Sequence, residues 1–317
     1  MQGQFDCAMN DRLFFQGVLN HCYQRTADRG VLFYSFHDHL VFYTIFCTMA
    51  RRHKLKVLKL VQMPDHIHYA AYAETRDRLS SFSRDYASAF ARAFNRFYHC
   101  RGPLFETPFG SAPKKTEKDV RSNLIYLDNN PVERQLAKRA EDYRWNYLAY
   151  GQCKNPFSDK IVLRRASMPL RRALERVRII RSEERPLTYP ALQNLFGAID
   201  SPLEREQLTD FIINAYSAID HTSAIRFFDG YSQEISAAHA TKGSEYDIHE
   251  TFIGWSDTVY ERIASILLRT GTCNDVHEVL SMDMMEKRRL AELLRWETRA
   301  PWKQIAAFLH LPVEINQ

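Results

Sequence analysis

The sequence predicts an α+β protein in which a half of mixed strands and helices comes first and an all-helical half follows. In residues 20–110 the hydrophobic side chains switch between the two-residue spacing of strands and the 3.6-residue spacing of helices, in the order β-α-β-β-α-β. Residues 152–158 contain several residues that break regular structure and form a plausible linker. We therefore expect two domains, residues 1–152 and residues 153–317.

The first half of the predicted sheet consists of two strands that flank a helix. Residues 21–26 are predicted as a strand. Residues 38–53 are predicted as a helix, because the three basic residues at their end suit the negative carboxyl end of a helix dipole. Residues 54–63 alternate apolar side chains with lysines, which predicts a strand with one buried face. The Pro64-Asp65 pair then predicts a turn.

The second half of the sheet begins with a strand at residues 66–72 and continues with a helix at residues 79–98. On this helix Leu79 and five aromatic residues recur at helical spacing, which indicates the side that packs in the core. A short strand is predicted at residues 104–109. The order matches the ferredoxin-like plan, an antiparallel sheet with helices on one face, so the other face is expected to be free to bind a partner.

A third helix is predicted after the sheet. Thr116 and Asp119 have the spacing of a capping box, with Asp in place of the usual Glu, and the helix should run from there toward Tyr126. Pro131 is expected to stop it. Because a residue before proline is pushed out of the helical region, Asn130 is expected at or just past the last turn.

The second half of the chain is predicted as helices separated by short loops. The first helix, residues 169–181, is rich in arginine and could lie along a phosphate backbone or simply present an exposed face. Two helices at residues 285–296 and 301–309 have the pattern of a helix-turn-helix, although packing within the protein is the preferred interpretation. Loops are expected at residues 183–190, 229–232, 242–247 and 271–274.

Composition excludes several classes of protein. With 317 residues and 45% hydrophobic content, the chain is long enough for about two domains and is not expected to be disordered. The longest apolar stretch, residues 41–49, is too short to span a membrane and lacks the flanks of a secretory signal, so a cytoplasmic protein is expected. The six cysteines lie far apart, which argues against a zinc ribbon or a redox motif.

Charge is distributed unevenly along the chain. Residues 1–182 hold 31 Lys and Arg against 17 Asp and Glu, a net charge of +14, whereas residues 183–317 hold 12 against 21, a net charge of −9. The basic part fits a polyanion such as nucleic acid, because cationic side chains that meet phosphates release condensed counterions. A solvated basic surface is the alternative explanation. The side chains predicted to contact DNA are Arg84, Arg92, Arg96, Lys114, Lys115, Arg171 and Arg172.

Four residues have the spacing of a metal-assisted nucleophile. His66 and His68 are two apart on a predicted strand, so both imidazoles share one face and can bind one cation. Tyr126 and Asn130 are four apart on a helix and therefore neighbours, which lets the phenol lie beside a metal while the amide oxygen joins its coordination shell. This combination predicts a tyrosine that attacks a nucleic-acid strand. Two histidines at this spacing, without further evidence, are also found where both are simply hydrogen-bonded at a sheet surface.

A second pair, in His37-Asp38-His39, has the same form but a different setting. It lies at the start of a predicted helix, where residues two apart point in different directions. Asp38 is better interpreted as a helix cap than as part of a metal site.

Short motifs around these residues resemble those of the REP-associated tyrosine transposases, which belong to the single-tyrosine HUH transposases of bacterial insertion sequences. The resemblance covers residues 20–151, about half of the chain. The segments that carry it are Met63-Pro64-Asp65-His66-Ile67-His68, Phe94-Asn95-Arg96, Gly102-Pro103-Leu104-Phe105, Tyr126-Leu127-Asp128-Asn129-Asn130-Pro131-Val132 and Asp142-Tyr143-Arg144-Trp145.

The resemblance implies a chemistry for the first domain. His66 and His68 would be metal ligands, Tyr126 the nucleophile and Asn130 the third ligand, and the reaction would pass through a 5′-phosphotyrosine intermediate on single-stranded DNA, at hairpin-forming repeats. Mg²⁺ and Mn²⁺ both stay open, because nitrogen ligands favour Mn²⁺ and cellular abundance favours Mg²⁺. Asp65 stands where the family usually has Asn, and residues 133–135 replace its usual Arg-Ala-Gly, changes that could alter strand recognition.

Two other functions are compatible with the sequence. One is a domesticated descendant that binds DNA hairpins and no longer cuts them. The other is a metal-dependent hydrolase, which would require further ligands at later strand ends where the sequence offers mainly helices. The absence of a G-x-x-x-x-G-K-[ST] run agrees with a reaction that needs no ATP. Either a monomer or a homodimer is expected, with single-stranded or hairpin DNA as its partner and no membrane.

Overall fold

A computed structural model of the chain describes residues 14–240 and 256–312. Its strands and helices follow in chain order. They are β1 (Leu19–Arg25), α1 (Phe36–Arg52), β2 (Lys56–Met63), β3 (His66–Tyr72), α2 (Arg76–Tyr98), β4 (Gly110–Lys114), α3 (Glu117–Glu133), α4 (Met168–Ser182), α5 (Tyr189–Gly197), α6 (Pro202–Tyr216), α7 (His221–Ile225), α8 (Tyr231–Ala240), α9 (Thr258–Arg269), α10 (Met284–Thr298) and α11 (Trp302–Leu309).

The first part of the chain forms a four-stranded sheet with the strand order β2-β3-β1-β4. Each neighbouring pair of strands is antiparallel. The predicted α+β class and the β-α-β-β-α-β order are therefore confirmed, and β3 occupies the predicted residues 66–72. Pro64 and Asp65 form the predicted turn between β2 and β3.

The predicted position of the fourth strand is wrong. Residues 104–109 contribute an isolated bridge between Phe105 and Thr26, and the strand itself is β4. Glycine and proline disfavour strands, which hid β4 from the hydrophobic pattern. Pro113 is tolerated because β4 lies at the sheet edge and pairs with β1 alone. Gly110 lies against the Tyr23 ring, where a Cβ atom would come within 2.0 Å of a ring carbon.

One face of the sheet is covered by α1 and α2. Ile67 and Tyr69 of β3 belong to the same buried cluster as Phe46 of α1 and Tyr86 of α2. The predicted aromatic stripe of α2 is buried there, from Leu79 to Phe94, with Phe97 packed at its margin.

The other face of the sheet was expected to be open, and this expectation is wrong. Leu19, Val61 and Ala70 of the sheet pack against Val120 and Leu124 of α3, and α7 and α8 extend the cover. As a result β2 is buried on both faces after its first residue, instead of having one exposed face. Burial on both faces was not visible in the local pattern, because the covering helices lie far away in the sequence.

The third helix begins as predicted but ends later. Thr116 and Asp119 form a reciprocal capping box at its start. Pro131 does not stop the helix, which continues to Glu133. Proline removes one backbone hydrogen bond, and this loss is tolerated here because the helix ends two residues later. Asn130 therefore lies within the helix, and its direction is set by helical geometry.

In the described residues after 152 the regular elements are helices, as predicted. Residues of α4, α5 and α6 belong to the same buried cluster as α1 and α2, whereas α9, α10 and α11 form a cluster of their own. The division at residue 152 stays a prediction. The loop predicted at residues 242–247 lies outside the described residues. In the part of the chain that is described, none of the helices is long and apolar enough to cross a bilayer.

Candidate active site

The predicted histidine pair lies on the face of the sheet that α3 covers. His66 and His68 are two residues apart on β3 and therefore share one face of the sheet. Their ring centroids are 4.9 Å apart, with nearly perpendicular planes. Ile67 between them points into the core on the opposite face. Both imidazoles are almost fully buried. The two rings thus lie close enough to approach one ion.

The helix α3 carries the other two predicted residues to the same place. The ring centroid of Tyr126 is 5.7 Å from that of His68. One turn further along, Asn130 Nδ2 lies 3.4 Å from His68 Nε2. The structure therefore brings together the four residues that the spacing singled out.

A third histidine, His21 of β1, belongs to the cluster and was missed from the sequence. His21 Nε2 lies 3.0 Å from His68 Nδ1, and the His21 ring centroid is 5.7 Å from that of Tyr126. Asn123 of α3 continues the chain, with its Nδ2 2.8 Å from His21 Nδ1. The available signals were that Asn123 is one helical turn before Tyr126 and that His21 lies in the first predicted strand.

These hydrogen bonds determine which nitrogen of His68 carries its proton. If Asn130 donates to His68 Nε2, that atom holds the lone pair and His68 donates from Nδ1 to His21 Nε2. His21 then carries its own proton on Nδ1, and this N–H needs the oxygen of the Asn123 amide as its acceptor. A rotation of that amide supplies it, since Asn123 Oδ1 is buried with no hydrogen-bond partner within the described residues.

The polar atoms left over at this site fit a cation. Asp65 Oδ1 lies 2.5 Å from His66 Nδ1, which fixes the ring orientation and leaves Nε2 as the nitrogen not engaged in that bond. Within residues 14–240 and 256–312, His66 Nε2 and Asn130 Oδ1 are both buried without a hydrogen-bond partner. An imidazole nitrogen and an amide oxygen in this state are donors that Mn²⁺ or Mg²⁺ would accept.

Few side chains at this site could act as metal ligands. Among the residues that the structure describes, no group of three or more His, Cys, Asp or Glu side chains is arranged to hold a metal ion. A cation here would therefore depend on two imidazoles and one amide. His21 would contribute only indirectly, through its hydrogen bond to His68.

The site is closed to solvent. Tyr126 and Asn130 are each only 3% exposed. The helix α8 packs on the outer side of α3, and Asn129 Nδ2 donates to the Ala238 carbonyl at 2.8 Å. A ligand could therefore contact Tyr126 only if one of these covering elements were displaced.

A buried ionic cluster holds this cover in place. Lys59 Nζ lies 2.6 Å from Asp128 Oδ1 and 2.9 Å from Glu234 Oε1, which links β2, α3 and α8. Burial raises the pKa of Asp128 to about 7, against the opposing effect of Lys59. Burial alone would lower the pKa of Lys59, yet the two carboxylates raise it above its ordinary value. This cluster could not be foreseen from the sequence, because a lysine in a strand with one buried face was expected to be exposed.

The residue that precedes α9 also lies close to the end of α3. The Asp257 backbone N–H donates to the Arg134 carbonyl just after α3, at 3.0 Å. Burial, and then the nearby Asp65 carboxylate, raise the pKa of Asp257 to about 6. Arg134 belongs to the segment that departs from the transposase motif, so this departure coincides with a contact between helical elements.

The side chains predicted to contact DNA do not gather around Tyr126. The exposed ones are Arg84, Arg92, Arg96, Lys115, Arg171 and Arg172, whereas Lys114 is largely buried. The three on α2 lie on the side of the sheet away from the histidines, and α4 shares the core of α1 on that side. Lys114 and Lys115 lie at the end of β4, next to the start of α3.

Fold and site together define an α+β protein with a ferredoxin-like sheet and a buried cluster of three histidines, a tyrosine and two asparagines. No family model matches the chain, and no curated protein matches it. The solved structure of a REP-associated tyrosine transposase bound to a REP hairpin is similar to it, with 18% sequence identity over 44% of this chain and 82% of that chain and a TM-score of 0.39.

Proposed function

We propose that this protein is a metal-dependent transposase or nuclease that cleaves and rejoins single-stranded DNA through a 5′-phosphotyrosine intermediate, at hairpin-forming repeats. The observation that supports the proposal most strongly is the convergence of His66, His68, Tyr126 and Asn130 on one face of the sheet. Two buried atoms of that cluster that could bind a metal, His66 Nε2 and Asn130 Oδ1, have no hydrogen-bond partner among the described residues.

In this proposal His66, His68 and Asn130 hold a divalent cation, Mg²⁺ or Mn²⁺. When bound, such an ion polarises the scissile phosphate and favours the phenolate form of the neighbouring tyrosine. Asp65 and His21 fix the rings of His66 and His68, so that the ligand nitrogens keep their lone pairs. Free tyrosine has a pKa of about 10, so help with deprotonation is needed at neutral pH.

Tyr126 performs the covalent step. Its phenol oxygen forms a bond to phosphorus while the bond from phosphorus to the 3′ oxygen breaks. The phenol loses its proton, and the departing oxygen gains one to become a 3′-hydroxyl. Because the phosphoester link is retained, the 3′-hydroxyl of another strand can reverse the step without ATP.

A second candidate function is supported by the burial of the site. His68 hydrogen-bonds to His21 through one ring nitrogen and to Asn130 through the other, and such a network can serve as a polar core without metal. The chain would then be a domesticated protein that binds DNA hairpins and does not cut. A hydrolase is less well supported, since the described residues offer no third His, Cys, Asp or Glu ligand.

The two candidates are separated by incubating a labelled single-stranded hairpin with the protein and Mn²⁺ and looking for a covalent adduct on a denaturing gel. The transposase proposal predicts an adduct that Tyr126→Phe abolishes. Tyr23→Phe is the matched control, because the Tyr23 ring also lies near His68, at 6.3 Å between centroids, and this variant should keep the adduct. Hairpin binding without any adduct would favour the binding protein.

A further inference from the structure

A basic cavity lies at the opposite end of the face that carries the histidines. It has a volume of about 690 Å³, within the range of ligand-binding clefts. Its lining includes Lys56, Tyr72, Lys118, Arg121, Arg226 and Phe227. We refer to these six residues as the basic groove. None of them belongs to the candidate active site.

The groove has an excess of positive charge. Four of its residues are cations, whereas Glu117 and Asp229 are the carboxylates in its lining. Lys56 is half exposed and lies 3.5 Å from the Asp220 carboxylate, so it is not locked in a buried ion pair. The guanidinium of Arg121 lies over the Phe228 ring at 5.3 Å, which holds it in place beside the cavity.

Two aromatic rings lie among these cations. Tyr72, at the end of β3, and Phe227, in the turn after α7, both line the cavity and are half-buried. Cations that follow a backbone, together with rings on which bases can stack, form the usual combination in proteins that bind single strands. A duplex keeps its base faces hidden and would leave the rings unused.

The groove and the active site are joined by two elements. Along β3, His66 and Tyr72 are separated by about 20 Å, given about 3.3 Å per residue. The helix α3 runs back over the same face, with Lys118 and Arg121 at the groove end and Tyr126 and Asn130 at the histidine end. A single strand bound in the groove would therefore lie about 20 Å from the histidines, at the end of α3 remote from the covered site.

We infer that the basic groove binds a segment of single-stranded nucleic acid, with its phosphates on the cations and its bases stacked on Tyr72 and Phe227. The inference rests on the proposed function for the identity of the ligand. It adds the path by which the strand is held several nucleotides away from the scissile phosphate. Binding in the groove requires neither metal nor the phenol of Tyr126.

The test measures equilibrium binding of a fluorescein-labelled oligothymidine by anisotropy, in the Tyr126→Phe protein with EDTA present. Lys118→Ala combined with Arg121→Ala should weaken binding by about tenfold. It should also reduce the slope of log affinity against log salt by about 1.4, since each phosphate contact on a single strand contributes about 0.7. Arg164→Ala combined with Arg165→Ala removes the same charge from an exposed site elsewhere and should change neither value.

Cross-linking supplies a second, independent measurement. An oligonucleotide with 4-thiothymidine should cross-link to Tyr72 or Phe227 in the otherwise unchanged Tyr126→Phe protein, which avoids any question about the folding of groove variants. Equal loss of affinity in both double variants, or cross-links only at other sites, would overturn the inference. Because the chemistry is disabled in this protein, loss of groove binding and loss of adduct formation are separate results.

Discussion

His21 and His68 are hydrogen-bonded across the sheet, with 3.0 Å between His21 Nε2 and His68 Nδ1, although 47 residues separate them in the sequence. The bond places a positioning group behind one of the two proposed metal ligands. It also connects that ligand to Asn123 and thereby to α3. The cluster is thus held by three separate elements.

His21→Phe should weaken Mn²⁺ binding by about 10- to 100-fold, because a ligand histidine that loses its outer partner also loses its fixed orientation and proton position. Isothermal titration with Mn²⁺ measures the change. His37→Phe is the control, since His37 belongs to α1 on the other side of the sheet. Unchanged Mn²⁺ affinity in the His21 variant would show that His21 has no positioning role.

Asp65 should act on His66 in the same manner. Asp65→Ala removes the carboxylate that lies 2.5 Å from His66 Nδ1, and we expect Mn²⁺ affinity to fall by about 10- to 100-fold. Asp65→Asn keeps an oxygen that can accept the hydrogen bond, so its loss should be smaller. The same titration compares the two, and equal losses would argue against a hydrogen bond as the cause.

The ionic cluster beneath α8 should be sensitive to the loss of its cation. Lys59→Met leaves Asp128 and Glu234 buried without a positive partner, and the free energy of unfolding should fall by about 3–5 kcal/mol. Lys56→Met, on the same strand but half exposed, should cost less than about 1 kcal/mol. Urea denaturation measures both. Similar effects of the two substitutions would contradict the assigned role of Lys59.

A second buried cluster should make stability depend on pH. His277 Nε2 lies 2.9 Å from Asp38 Oδ2, and Tyr189 also donates to this carboxylate. Burial alone would lower the pKa of His277, but the Asp38 and Asp275 carboxylates together outweigh that effect and raise the pKa to about 9. The contribution of charged His277 to the free energy of unfolding is therefore complete below the ordinary histidine pKa of about 6.5, and it is lost as pH rises through about 9.

His277→Gln should remove this part of the pH dependence. The difference in unfolding free energy between the original protein and the variant should shrink by about 3 kcal/mol between pH 6 and pH 10, which follows from the size of the shift. Urea denaturation across that range tests it. A difference that stays constant with pH would mean that His277 is not charged in the folded protein.

Local patterns were sufficient for the elements that depend on neighbours in the sequence. The alternation around His66 and His68 predicted β3, and the capping pair Thr116 and Asp119 predicted the start of α3. The i,i+4 spacing then placed Tyr126 and Asn130 on one side of the helix. These features are set within one or two turns of the chain, where spacing alone decides direction.

Features that depend on contacts between distant segments could not be predicted in the same way. His21 joins the site only because β1 pairs with β3. Lys59 is buried only because two carboxylates from α3 and α8 meet it. Gly110 and Pro113 hid a strand whose edge position makes them acceptable, and Pro131 stays helical because α3 ends just beyond it. In each case tertiary packing overrode the local preference.

The most direct test of the proposed chemistry is to soak crystals of the protein with Mn²⁺ and locate the ion by anomalous scattering. We predict a peak about 2.1 Å from His66 Nε2, His68 Nε2 and Asn130 Oδ1, with the Tyr126 ring beside it. No peak in the cluster at saturating Mn²⁺, or a peak bound by other side chains, would contradict the account.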